Sequence, residues 1–386
     1  MNKDNISALI TGVGVVALIV GFAIYFNSPQ LNKSPLGNSN DQLIASTPTS
    51  KNGISNVELS IDKSQFRKAP EFKGITSYIN TNATKLSDLK GKVVLVDFWT
   101  YSCINCIRTL PYLVDWNQKY SDKGLVIVGI HSPEFEFEKN INNVKQAVTR
   151  FGIKYPVILD NDHQTMNAFQ NSYWPRKYLV DSDGYIRYDH VGEGGYAETE
   201  NAIRNLLAER SNQQGLGISN LNQTKSIVPG AQSVDINQIK SPELYFGYQY
   251  ARAQIGNVQG FNPDKTVNYT ISASNLESNV IYLQGLWKNN PDSMELVGPY
   301  GKIMLSYSAK SINIVAGGKG EAIVQEDGNG NQTNNKLKGS DVNAEGRLTI
   351  DGQRLYNIAD HPNYGNHQIE IDAKRPGFKI YTFTFG

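Results

Sequence analysis

The sequence predicts an α/β domain followed by an all-β, jelly-roll-like sandwich, both behind one N-terminal transmembrane helix. Three observations lead there. An uncharged apolar run opens the chain, β-branched apolar runs alternate with helical periodicity through residues 62–211, and short strand-like runs recur between Gly, Asn and Asp clusters through residues 241–386. A length of 386 residues calls for two or three units. Lys plus Arg number 37 against 36 Asp plus Glu, a formal charge of +1, so no basic field marks a nucleic-acid partner. Gly at 34 and Pro at 15 are near ordinary shares, which excludes collagen-like repetition and wholesale disorder.

Taken in order, residues 6–26 (ISALITGVGVVALIVGFAIYF) carry no charge. As a helix rising ~1.5 Å per residue they are long enough to cross ~30 Å of hydrocarbon. A cleaved signal peptide is the rival reading, but no small-x-small cleavage site follows the apolar run. Lys3, offset by Asp4, and the more distant Lys33 bias the N-terminus only weakly toward the inside. That orientation makes a single-pass cell-membrane protein with both folded domains extracytoplasmic. Residues 27–61 are dominated by Asn, Ser, Thr, Pro and Gly and read as a flexible linker.

Within 62–211, residues 93–98 form a β-branched apolar run expected of a strand buried on both faces. Residues 104–120 follow with helical spacing, where Pro111 predicts a kink because the pattern continues past it. Strands are expected at 125–130, 155–159 and 177–180, a helix at 140–151 capped by Gly152, and a Ser182-Asp183-Gly184 turn into a strand at 185–190. An amphipathic helix at 199–209 closes the domain. After a second polar linker, 212–240, at least eight short strands are expected: 267–272, 280–286, 303–307, 312–315, 322–325, 347–350, 368–371 and 378–385.

The only two cysteines lie in one tetrapeptide, Cys103-Ile104-Asn105-Cys106, so no disulfide framework exists. A C-x-x-C between a buried strand and a helix puts the first sulfur at the helix N-terminus, where unpaired amides favour a thiolate. Cys103 is the expected nucleophile. Cys106, about one turn on, is the expected resolving thiol, which attacks the mixed disulfide and releases the reduced substrate. A structural disulfide is the poorer use of the pair, since so short a ring stabilises by only about 2 kcal/mol. A closed zinc site needs two further ligands, and no second cysteine pair or histidine pair at finger spacing follows. No bound cofactor is expected; the dithiol itself is the redox group.

These residues carry a resemblance. Leu95-Val96-Asp97-Phe98-Trp99, the run from Thr100 to Cys106 and Pro111 beyond it resemble the active-site strand and helix of the thioredoxin superfamily. Residues 86–92 (LSDLKGK) are similar to the entrance of its TlpA-like branch, and 98–110, 129–135 and 173–181 resemble the soluble part of DipZ-type thiol-disulfide proteins, a likeness that extends over the β-rich module. The resemblance implies that Asp97 is a buried acid assisting proton transfer at the resolving thiol, and that Pro175 is a cis-proline facing the disulfide. A dry carboxyl suits that role because burial raises its pKa. The resemblance also puts Trp174, Pro175, Tyr101, Ser102, Ile104 and Asn105 against an extended client. Ser102, Asn105 and Trp174 depart from the residues common in thioredoxins, so redox poise and client fit are not carried over. DipZ-type proteins are associated with several membrane spans and this chain shows one apparent span, which implies a membrane electron carrier on a separate chain.

The expected partners are client proteins with disulfides or thiols, in secreted-protein or cytochrome c maturation. Two alternatives stand beside this reading. One is a thiol peroxidase, since redoxins share the core. The other is a surface binding protein whose β module takes a glycan or protein ligand, with Tyr245, Phe246, Tyr248, Trp287 and Tyr300 as stacking candidates against an ordinary core role. His131, His163 and His190 lack ligand spacing, His361 and His367 bracket an expected loop, and Asp327 to Asn331 is better explained as a polar turn than as a calcium loop.

Overall fold

The computed structural model describes residues 62–216, 228, 231–272, 275–326 and 338–386. The expected span at 6–26, the linker 27–61 and the Asp327 to Asn331 turn lie outside the described residues. Among the described residues no helix is long and apolar enough to cross a membrane.

The first half runs β1 (Ser77–Ile79), β2 (Val93–Trp99), α1 (Ile104–Tyr120), β3 (Leu125–His131), α2 (Ile141–Arg150), β4 (Val157–Leu159), α3 (Gln164–Ala168), β5 (Arg176–Val180), β6 (Ile186–Val191) and α4 (Tyr196–Gln213). Its sheet has the order β1-β4-β3-β2-β5-β6. β3 is parallel to β2 and to β4, whereas β5 is antiparallel to β2 and β6 to β5. All of β2 is buried because helices cover both faces. Val93, Leu95 and Trp99 face Leu110, Leu113 and Trp116 of α1, and Val94, Val96 and Phe98 meet Met166 and Phe169 on the other side. Each such side chain contributes about 1.5–3 kcal/mol by leaving water. That burial explains why the sequence shows an unbroken apolar run instead of alternation.

Pro111 sits inside α1 without ending it. Gly152, at φ +66°, follows α2 in the left-handed conformation that a helix stop uses. β1 and α3 were not expected, because three and five residues are too few to show a period.

The second half contains β7 (Leu244–Tyr245), β8 (Thr266–Tyr269), β9 (Tyr282–Asn289), β10 (Met294–Gly318), β11 (Gly320–Glu326), β12 (Arg347–Ile350), β13 (Arg354–Ala373) and β14 (Phe378–Phe385). The expectation of short strands in two stacked sheets needs correction. Runs 303–307 and 312–315 are parts of one 25-residue strand, β10, and 368–371 is the end of the 20-residue β13. The expected loop between His361 and His367 lies within β13. Register shifts at Ala309/Ser311 and Ile312/Asn313 interrupt the alternation that a continuous strand would show. Hydrogen bonding joins all eight strands into one sheet. That sheet curls on itself, since β14 pairs with both ends of β10, Ile380 opposite Met294 and Phe385 opposite Ile312.

Residues 61–386 form one compact unit. Tyr245, Val315 and Tyr381 of the second half complete the core beneath α1, and the amides of Lys240 and Ser241, at the end of the linker, both donate to Ser308 O.

Candidate active site

Cys103 caps α1 in an extended conformation (φ −77°, ψ 118°), and its Sγ accepts the Cys106 amide at 3.3 Å. Both thiols are free; Cys103 is half-buried and Cys106 buried. Cys103 Sγ thus sits at the first turn of α1, among its unpaired amides. Burial, followed by contact with Cys103 and the nearby Asp97, pushes the Cys106 thiol well above the ordinary range. The two sulfurs thus differ: Cys103 is partly exposed, while Cys106 is buried with its thiol held protonated.

Asp97 lies on β2 with 1% exposure. Burial pushes its carboxyl up to about 7, against the pull of Lys177. Its Oδ1 finds no hydrogen-bond partner among the described residues. Lys177 stands opposite Asp97 in the β2/β5 pair, is fully buried, and donates from Nζ to Gly192 O at 3.2 Å. Burial lowers its pKa, and Asp97, Cys106 and Glu193 oppose that shift. Sequence reasoning missed Lys177, since a lysine at the start of an apolar strand reads as a flank. The available signal was register, because its strand pairs with the strand of the acid.

The Trp174–Pro175 peptide is cis. Trp174 is half-buried and donates from Nε1 to Ser132 O at 3.0 Å, and Pro175 O accepts the Gly192 amide at 2.8 Å. Of the other residues expected to face a client, Asn105 is partly exposed and its Oδ1 accepts from Arg108 at 2.7 Å. Arg108 also grips Glu193 with two bonds of 2.8 and 2.7 Å. Tyr101, Ser102 and Ile104 are placed differently from the expectation, for all three are buried. Tyr101 donates to Gln353 O of the second half at 3.1 Å, and its ring stacks on His131 at 5.7 Å. Ser102 donates to Glu138 at 2.5 Å. Of these residues Cys103, Asn105 and Trp174 remain partly exposed.

The segment from Ser132 to Glu138, of which only the part to Phe135 entered the resemblance, carries groups that sequence reasoning did not single out. Glu138 is fully buried, and burial raises its pKa. Burial and the facing Glu243 push Glu134 up to about 8. His131 is buried and held down to about 3, hence neutral. Among the described residues no three His, Cys, Asp or Glu side chains are grouped to hold a metal. His163 contacts Pro133 O at 2.7 Å, while His361 contacts Tyr307 and Glu326, each at 3.0 Å. Tyr245, Phe246 and Trp287 are core residues instead of an exposed stacking face.

Residues 66–207 match the family model described as Redoxin, and residues 241–386 the one described as Thioredoxin like C-terminal domain. Protein DipZ of Mycobacterium tuberculosis is 34% identical over 323 residues, which cover 82% of this chain and 43% of that protein. The chain thus spans less than half the length of the DipZ proteins it matches. Thiol-disulfide oxidoreductase YkuV of Bacillus subtilis is 30% identical over 140 residues, 36% of this chain and 94% of its own. A solved structure described as a thioredoxin-like protein in the oxidized form is 30% identical, covers 37% of this chain and 97% of its own, and gives a TM-score of 0.35.

Proposed function

Since the chain belongs to the thioredoxin-like thiol-disulfide oxidoreductases, we propose that it reduces disulfides of client proteins outside the cytoplasm, with Cys103 as nucleophile and Cys106 as resolving thiol. The observation that carries this reading is the pair itself: a half-exposed sulfur capping a helix, over a buried thiol and a buried acid.

The thiolate of Cys103 attacks one sulfur of the client disulfide, forming a mixed disulfide and releasing the first client thiolate. Asp97 takes the Cys106 proton, as a carboxyl held near neutrality is suited to do. Cys106 then attacks Cys103 Sγ, closes the Cys103–Cys106 disulfide and releases the second client thiolate, so two electrons pass to the client. In this reading the backbone of Trp174, before the cis peptide, offers an extended client a strand-like partner. Recharging takes a dithiol donor, which we assign to a membrane electron carrier on a separate chain. Residues 6–26 serve as the anchor in this reading, and secreted-protein or cytochrome c maturation supplies the clients.

The test is equilibration of a fragment starting near Asn56 in defined redox buffers, with trapping of thiols. A reduction potential near or below about −250 mV supports a reductant, one near about −120 mV an oxidant. Failure to form a reversible disulfide sinks the redox reading.

A further inference from the structure

Ser102 immediately precedes the nucleophile, and its hydroxyl is spent on Glu138 Oε1 at 2.5 Å. The other carboxylate oxygen, Oε2, accepts the backbone amides of Glu134 at 2.6 Å and Phe135 at 2.9 Å. One buried side chain thus bolts the loop before Cys103 to the 134–138 segment. That segment is clamped from the far side by the C-terminal module. Tyr250 donates to Glu134 O at 2.8 Å, Tyr245 donates to Glu134 Oε1 at 2.7 Å, and the Tyr381 ring lies 5.3 Å from Phe135 and 4.7 Å from Phe137. A solvated loop would not hold a carboxylate in so many directed bonds without ordering from both sides.

We infer that Glu138 is a positioning residue for Cys103, held in place by the C-terminal module, so that the module helps set the redox equilibrium of the Cys103–Cys106 pair. This rests on the dithiol-exchange reading above. The physical link is the helix cap. Cys103 Sγ accepts the Cys106 amide in the dithiol form, a bond whose geometry depends on where residue 102 is anchored. Loosening that anchor weakens a contact that favours the reduced sulfur, so the pair becomes harder to reduce.

The experiment measures the dithiol/disulfide equilibrium constant against glutathione, together with Tm, in the chain and in four variants. S102A and E138A are expected to shift the constant toward the disulfide by about fivefold, the size of one hydrogen bond, equivalent to about 20 mV. E138Q is expected to stay near wild type, because its oxygen accepts the two amides while its NH2 donates to Ser102 Oγ. Y250F, which removes only the bond to Glu134 O, shifts the constant in the same direction by a smaller factor. Should E138A not fold, S102A and Y250F carry the test. A purely structural role would lower Tm without moving the constant, and a folded S102A with the wild-type constant overturns the positioning role alone. A wild-type chain that forms no reversible disulfide overturns the function reading as well.

Discussion

The buried position of Asp97 costs stability at neutral pH. Its folded pKa of about 7 lies above the ordinary 3.8, so its contribution is most favourable when it is protonated in both states. Stability from this residue is therefore present below pH 3.8, falls as pH rises, and is gone above about 7. The span corresponds to at most about 4 kcal/mol. At pH 8 Asp97→Asn should be more stable than the wild type by about 2 kcal/mol, read as a higher denaturant midpoint. The same variant should release clients from the mixed disulfide roughly tenfold more slowly. Stopped-flow decay of a Cys103-linked client reads this step, and an unchanged rate would remove Asp97 from the proton path. In the wild type the rate should climb with pH through about 7 as Asp97 becomes able to accept the proton, and that limb should vanish in the variant. Cys103 and Cys106 stood out because the motif lies beside a buried strand, and Asp97 came only with the resemblance of that strand to thioredoxins. Lys177 and Glu138 were not legible, since they reach the site from segments far along the chain, and an isolated Lys or Glu has an ordinary surface reading.

At the scale of elements, β2 and α1 place the thiols, and both were readable from sequence. β2 showed itself as an unbroken apolar run, and α1 kept its period through Pro111. Trp116 lies on the inward face of α1 and is fully buried, as is Leu113. Trp116→Ala should destabilise by about 3–5 kcal/mol, read as a shift in urea midpoint at constant slope. A loss under 1 kcal/mol would mean that α1 is not held by this face. What could not be read was strand continuity in the second half. Bulges near Ser311 shift the side-chain alternation, so one long strand looks like two short ones, and pairing partners far apart leave no local signature.

At the scale of the whole molecule, the sequence suggested two bodies on a linker, yet aromatic side chains of the second half sit in the core of the first. Tyr381 touches both Phe135 and Phe137. Tyr381→Ala should therefore lower a single cooperative transition of both halves by about 3–5 kcal/mol. Two separate transitions, with only the second displaced, would contradict the shared core. The acid at this junction adds a pH dependence of its own. Burial and Glu243 raise Glu134 from 4.5 to about 8, so its contribution to stability is full below 4.5 and declines until about pH 8. Glu134→Gln should flatten that part of the Tm profile, and an unaltered slope would show that the carboxyl does not titrate in this window.

Tyr381 belongs to the last strand, and this has a consequence for the order in which the protein is made. A chain synthesised from its N-terminus presents both cysteines about 280 residues before Tyr381 arrives, at a synthesis rate of roughly 5–20 residues per second. Throughout that interval the segment beside the cysteines lacks its aromatic cover. The 134–138 segment is thus covered only once the last strand is in place.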